Sequence, residues 1–296
     1  MRIQSLALAI AASLLPWALQ GRCLGEEPTS LDARATRRVI GSVPDGLNVP
    51  PFLIEVGPQG RWTAFSARKG EKGAPGDALY TVMNGEVTGP YRSVGTITYL
   101  GLGEIPIREW ETEQGTFVSV GEHEYGPFDR VNALISRDRQ RVAFLVKDGG
   151  KDRLIRDGKL EDAYKDIDGI SMSDDGSIVA HAAEAGREEC VVVNGVKGET
   201  FDHAGHKWIW LTSNGRHLAY IAGRGDATYL VRDGEKTAVT AGSRSPILSP
   251  DGSRYVYWTR EGETWTPVID GRSGHACDRV DLVRFSPDSA RLGYVS

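Results

Sequence analysis

The sequence predicts an all-β protein, a β-propeller of about seven four-stranded blades, and three observations predict it. First, a turn-and-strand unit recurs as ISRDRQRVAFL (Ile135 to Leu145), MSDDGSIVAHA (Met172 to Ala182), LTSNGRHLAYI (Leu211 to Ile221), LSPDGSRYVYW (Leu248 to Trp258) and FSPDSARLGYV (Phe285 to Val295). Its second residues, Ser136, Ser173, Thr212, Ser249 and Ser286, are 37, 39, 37 and 37 apart. Second, a β-rich stretch ending in a polar residue plus glycine runs in phase with it. The glycines Gly85, Gly121, Gly158, Gly195, Gly234 and Gly271 are spaced 36, 37, 37, 39 and 37. Third, 36 glycines in 296 residues favour turns over long helices.

Each element of the unit follows from local chemistry. In S-P-D-G, proline presets φ, aspartate bonds its own backbone and glycine accepts positive φ. The next stretch is rich in β-branched and aromatic residues, as strands are. A polar, glycine-rich loop follows, such as KDGGKD (Lys147 to Asp152) or AGRGDA (Ala222 to Ala227). The N-G and D-G pairs mark a second tight turn. Segments such as GPFDRV, DAYKDI and HACDRV then lead into the next unit. Four short antiparallel strands in about 37 residues make one propeller blade. A β-solenoid repeats at a shorter period, and a sandwich has no reason to repeat its turn residues.

The ends of the repeat set the blade count. VGPQGRWTAFS (Val56 to Ser66) is an early, looser copy, and Gly57 lies 79 residues before Ser136, which implies a degenerate copy near Ile97 to Glu104. The last copy ends at Ser296 without outer strands. Residues 37 to 53 are expected to supply them, because RRVIG (Arg37 to Gly41) aligns with the segment before Gly271. Such closure removes open sheet edges. Six blades with irregular ends is the alternative. The domain therefore spans 37–296, after a polar lead-in at 26–36.

Residues 1–25 read as a secretory signal peptide. Arg2 precedes an apolar run from Leu6 to Leu19, too short for a comfortable membrane span, and small or polar residues follow. An uncleaved anchor is one alternative. A lipoprotein signal at Cys23 is another, weakened by Gln20 and Arg22. Export implies a periplasmic or secreted protein that does not span the membrane after cleavage.

The formal charge is −5, and loss of Arg2 and Arg22 with the leader makes it more negative. This balance argues against nucleic-acid binding, which needs lysine and arginine to replace counterions. Cys190 and Cys277 remain after cleavage, fall in non-adjacent blades and are expected as two separate thiols.

LSPDGSRYVYW and FSPDSARLGYV resemble the WD40-like, Pro-Asp-containing propeller repeats of the TolB type, over about residues 37 to 296. VVNGVKGETFD (Val192 to Asp202) is similar to an uncharacterised bacterial exported subgroup of that class. The resemblance implies a bacterial exported propeller used for binding, often of proteins or peptides. The chain departs from TolB in having no separate N-terminal domain, and from the Pro-Asp-Gly turn at Asp138-Arg139, Asn214 and Ser289.

No catalytic motif stands out. The chain lacks G-x-S-x-G, G-x-x-x-x-G-K, H-E-x-x-H and C-x-x-C, and the S-x-x-K match at Ser66 and Lys69 has no companion motifs. No catalytic residue, metal site or cofactor is assigned. Asp202, His203 and His206 have metal-ligand chemistry but lack further ligands, so a solvated loop is the reading preferred. His123, His181, His217 and His275 show no pattern. The aromatic residues Phe144, Tyr220, Tyr255, Tyr257 and Tyr294 follow strand periodicity and are expected in packing. The tryptophans Trp208, Trp210, Trp258 and Trp265 are assigned to packing too, with an exposed binding patch as the alternative.

Binding is expected where loops meet the channel mouth. The candidates on the inter-blade connectors are Asp129, Arg130, Asp166, Asp168, His203, His206, Arg279 and Asp281. The function expected is a noncatalytic, monomeric binding scaffold for a protein or peptide of the cell envelope. A hydrolase or lyase with a channel-mouth site is the alternative.

Overall fold

The computed structural model describes residues 45–48, 54–56, 63–70, 78–95, 97–101 and 105–295. The leader, the lead-in and most of the closing segment at 37–53 lie outside them. The chain divides into two compact units, Met1–Ile97 and Thr98–Ser296. Among the described residues there is no helix.

The first unit holds one antiparallel sheet. Ile54–Val56, Thr63–Lys69, Ala78–Met83 and Glu86–Tyr91 pair in chain order. Phe65, Ala67 and Val82 form its core, with Leu47 and Tyr80 packed against them.

The second unit repeats the same sheet. Its first module pairs Thr98–Leu100, Ile105–Thr112, Gly115–Val120 and His123–Phe128, and so contains the degenerate copy. The next runs Arg130–Ile135, Val142–Asp148, Lys151–Arg156 and Lys159–Leu160. Then come Ile167–Met172, Val179–Ala185, Glu188–Val193 and Val196–Phe201. His203–Leu211, Leu218–Arg224, Ala227–Arg232 and Glu235–Val239 follow. Arg244–Leu248, Tyr255–Glu261, Thr264–Ile269 and Arg272–Ser273 make the last four-stranded module. Asp281–Phe285 and Leu292–Val295 end the chain as a pair.

The recurring hydroxyl explains why the first turn tolerates drift. Ser249 Oγ donates to Asp251 Oδ1 at 2.6 Å and accepts from the Arg254 amide at 3.0 Å. The same two bonds occur at Ser136 (2.7 and 2.9 Å), Ser173 (2.6 and 3.0 Å), Thr212 (2.7 and 3.0 Å) and Ser286 (2.5 and 2.9 Å). Threonine can replace serine and asparagine aspartate, because donor and acceptor survive. Proline is dispensable. The fourth position sits at positive φ, and where glycine is absent Arg139 (58°) and Ser289 (62°) adopt it.

The second turn is type I′-like, with positive φ at both central residues. The pairs are Asn84-Gly85, Asp157-Gly158, Asn194-Gly195, Asp233-Gly234 and Asp270-Gly271. The side chain also clips the turn to the second strand. Oδ1 of Asn84, Asn194, Asp233 and Asp270 accepts from the amides of Thr63, Val179, Leu218 and Tyr255 at 2.8–3.0 Å.

Strand order places both turns at one end of each sheet and the mid-module hairpins and connectors at the other. We call these the turn end and the connector end. In the second unit, Asp138 N donates to Asp174 O (3.0 Å) and Asp174 N to Ser213 O (2.8 Å), joining successive turn ends. The core lies between consecutive sheets. Ile107 and Val118 meet Phe144 and Ile155, and Ala143 and Leu154 meet Val179, Cys190 and Val192. Trp258 is buried, edge-on to Tyr294. Cys190 is buried, Cys277 half-buried, and both are free thiols.

Candidate functional site

The connector-end candidates are held by local bonds. The Asp129 amide donates to Lys147 O at 2.8 Å, and its Oδ2 accepts from Gly150 N at 3.2 Å. Asp202 repeats this with Gly223 O (2.9 Å) and Gly225 N (2.6 Å). Each aspartate thus ties a connector to the hairpin beside it. Asp166 O accepts from Glu184 N at 3.0 Å, and Asp168 Oδ1 from Gly169 N at 2.7 Å. Arg130 and Arg279 are exposed. The exposed His203 ring lies over Gly223, where a Cβ would overlap it. His206 and Asp281 lie on strands, and their side chains fall outside the described set. The bonds named here are each internal to a module and join none of the candidates to another.

The first strand of several modules carries a register shift at the same place. It falls between Asp168 and Ser171, Ala204 and Ile209, Arg244 and Ile247, and Asp281 and Arg284. Such bulges re-aim side chains. After the bulge in His203–Leu211, Ile209 turns into the core. Trp208 and Trp210 turn out, 60% and 38% exposed. The expectation that they pack is therefore corrected: a bulge, which repeat spacing does not display, decides their direction. Trp210, Thr212, Ile247, Ser249, Arg284 and Phe285 line a pocket of about 160 Å³ across three successive modules. Leu282, 75% exposed, stands on the last of these strands. Trp210, Ile247 and Phe285 thus give the pocket apolar walls, with Arg284 as a cation beside them.

A second polar group was not visible as a pattern in the histidines. His181 is buried, and neither ring nitrogen has a hydrogen-bond partner among the described residues. Burial pulls its pKa down to about 4, so the ring is neutral near pH 7. Tyr164 meets it edge-on at 5.8 Å between ring centroids. The Glu161 carboxylate is 4.0 Å away, beyond hydrogen-bond reach, and accepts instead from Arg156 Nε at 3.0 Å. Burial also pushes the Cys190 thiol and the Tyr164 hydroxyl up. A buried neutral histidine beside an un-ionised thiol is a packing arrangement, not a nucleophile and base poised for attack. Alignment of the repeats by register carries the missed signal. His181 occupies the position of Phe65, Phe144, Tyr220, Tyr257 and Tyr294.

No group of three metal-ligating side chains converges among the described residues. No protein-family model and no curated protein matches the chain. Among solved structures it is similar to a eukaryotic initiation factor, at 11% identity over 81% of this chain and 70% of that one, with a TM-score of 0.43. The Swd1 β-propeller domain of Myceliophteria thermophila Cps50 gives 10% identity, 85% and 94% coverage and a TM-score of 0.36. TolB from Acinetobacter baumannii gives 15% identity and a TM-score of 0.34; the match covers 70% of this chain and 63% of that protein. With all three TM-scores below 0.5, none of these likenesses identifies what this chain binds.

Proposed function

We propose that the chain is an exported, noncatalytic propeller scaffold that binds a protein or peptide of the cell envelope. The modules are its blades, and the leader at residues 1–25 directs export. The observation that carries binding is the exposed indole pair, Trp208 and Trp210, on a strand whose opposite face is core. Tryptophan and arginine are the residue types that dominate interface energetics. Indoles on a rigid strand lose little side-chain freedom on binding. The connector residues Asp129, Arg130, Asp166, Asp168, His203, His206, Arg279 and Asp281 belong to this reading as polar contacts around the bound segment.

The test is affinity capture from the envelope fraction with the mature chain and with a Trp208→Ala/Trp210→Ala variant. The expected result is a protein retained by the wild type and lost from the variant, with the variant's circular dichroism unchanged. Equal retention by both, or none by either, would sink the proposal. Turnover of a generic ester or glycoside by the pure chain would replace it with the hydrolase reading.

A further inference from the structure

A cleft of about 750 Å³ opens at the turn end between the module ending at Phe128 and the one that follows it. It lies away from the connectors, and none of the connector candidates lines it. Leu100, Val120, Val142, Phe144 and Ile155 give it an apolar floor. Its volume lies in the range of small-molecule sites.

The repeat itself shows how the cleft differs from the interface beside it. One module further on, Glu161 fills the corresponding space. Its carboxylate packs 3.4 Å from where a Cβ on Gly195 would stand, with Arg156 Nε donating to it at 3.0 Å. At the cleft, the residue in register with Glu161 is Glu124. It turns away to Arg108 Nη2, 3.6 Å distant. Tyr125 stands there instead, its hydroxyl 3.2 Å from where a Cβ on Gly158 would be, so this interface presents a neutral phenol where the next one holds a carboxylate.

The charge at the open cleft is unbalanced. Asp157 already takes two guanidiniums, Arg141 Nη1 at 3.0 Å and Arg156 Nη1 at 2.8 Å. Lys159 adds an exposed cation on the rim, with no ion pair among the described residues. Tyr125 and His123 supply further polar groups. Arg156 is itself shared with Glu161, so the lining residues Arg141 and Lys159 face the single carboxylate of Asp157, in a chain of formal charge −5.

We propose that this cleft binds a small amphipathic organic anion, its apolar body on Val120 and Val142 and its charged end at Arg141 and Lys159. Isothermal titration calorimetry of the full chain with 4-phenylbutyrate and its neutral amide tests this. The carboxylate should bind, and the amide about fivefold more weakly, as expected for one exposed ion pair. Lys159→Glu should erase that preference without disturbing the fold, because Lys159 is exposed. Val120→Trp should fill the cleft and abolish both. If Val120→Trp does not fold, Lys159→Glu decides alone. The Trp208→Ala/Trp210→Ala variant should bind the carboxylate as the wild type does, which separates this site from the one proposed above. No saturable binding, equal affinity for the two probes, or binding untouched by Lys159→Glu would overturn the proposal.

Discussion

Replacing His181 with phenylalanine should remove an acid sensitivity built into one module. The imidazole is 1% exposed, and burial lowers its pKa from 6.5 to about 4. The unfolded chain therefore takes up a proton at a higher pH than the folded chain does. Stability must fall as pH drops below 6.5 and stop falling below about 4. The gap of roughly 2.5 pH units, at 1.36 kcal/mol each, amounts to about 3 kcal/mol, of which about 2 kcal/mol is lost by about pH 5. The neighbours do not cancel this. Tyr164 and Cys190 stay un-ionised across that range, since burial pushes both upward. Glu161 is engaged by Arg156.

Phenylalanine suits the site, because the same register is held by Phe144, which is 1% exposed. It also removes an unpartnered ring N–H, worth about 1–3 kcal/mol near pH 7. Urea unfolding of both proteins at several pH values between about 7 and 4 gives the measurement. The stability difference in favour of His181→Phe should widen by about 3 kcal/mol across that span. Parallel loss of stability in the two proteins would mean that His181 is protonated, or hydrated, in the folded chain, and the argument from burial would fail.

Four further substitutions test the turn chemistry and the packing. Ser249→Ala removes both bonds made by a fully buried hydroxyl and should cost about 1–3 kcal/mol in chemical denaturation. The Ser249 hydroxyl, with the Ser253 amide and hydroxyl, holds the Asp251 carboxyl well below the usual carboxylate range, so its pKa, followed by NMR, should rise in the same variant. Asn194→Ala strips the acceptor from the Val179 amide and leaves alanine at a φ of 49°. Lost bond and left-handed backbone together should cost about 2–4 kcal/mol by the same measurement. Trp258→Ala, at 4% exposure, should cost about 3–5 kcal/mol. Trp208→Ala, at 60% exposure, should stay within about 0.5 kcal/mol of wild type; a large loss there would show that Trp208 packs.

The parts of this protein legible in its sequence are those in which side chain and backbone act within a few residues of each other. Ser136, Ser173, Thr212, Ser249 and Ser286 each fold their own turn, so their spacing alone reports the modules. Asn84, Asn194, Asp233 and Asp270 do the same for the second turn, and even the degenerate copy near Ile97 keeps the strand that pairs Thr98 with Ile107. What spacing cannot carry is the direction of a side chain after a bulge. Ile209 and Trp210 are adjacent and apolar; the pleat sends them to opposite faces, and the shift between Ala204 and Ile209 sets which one meets the core. Nor does it carry the choice of partner at an equivalent position. Glu124 and Glu161 hold equivalent places, yet one turns to Arg108 and the other to Arg156. Each partner belongs to its glutamate's own module, Arg108 on the second strand and Arg156 on the third, so equivalent positions acquire different neighbours. A fold made of near-equal units thus acquires individual sites through the residues that break the register. His181 in an aromatic row and Glu124 turned away from its cleft are both of that kind.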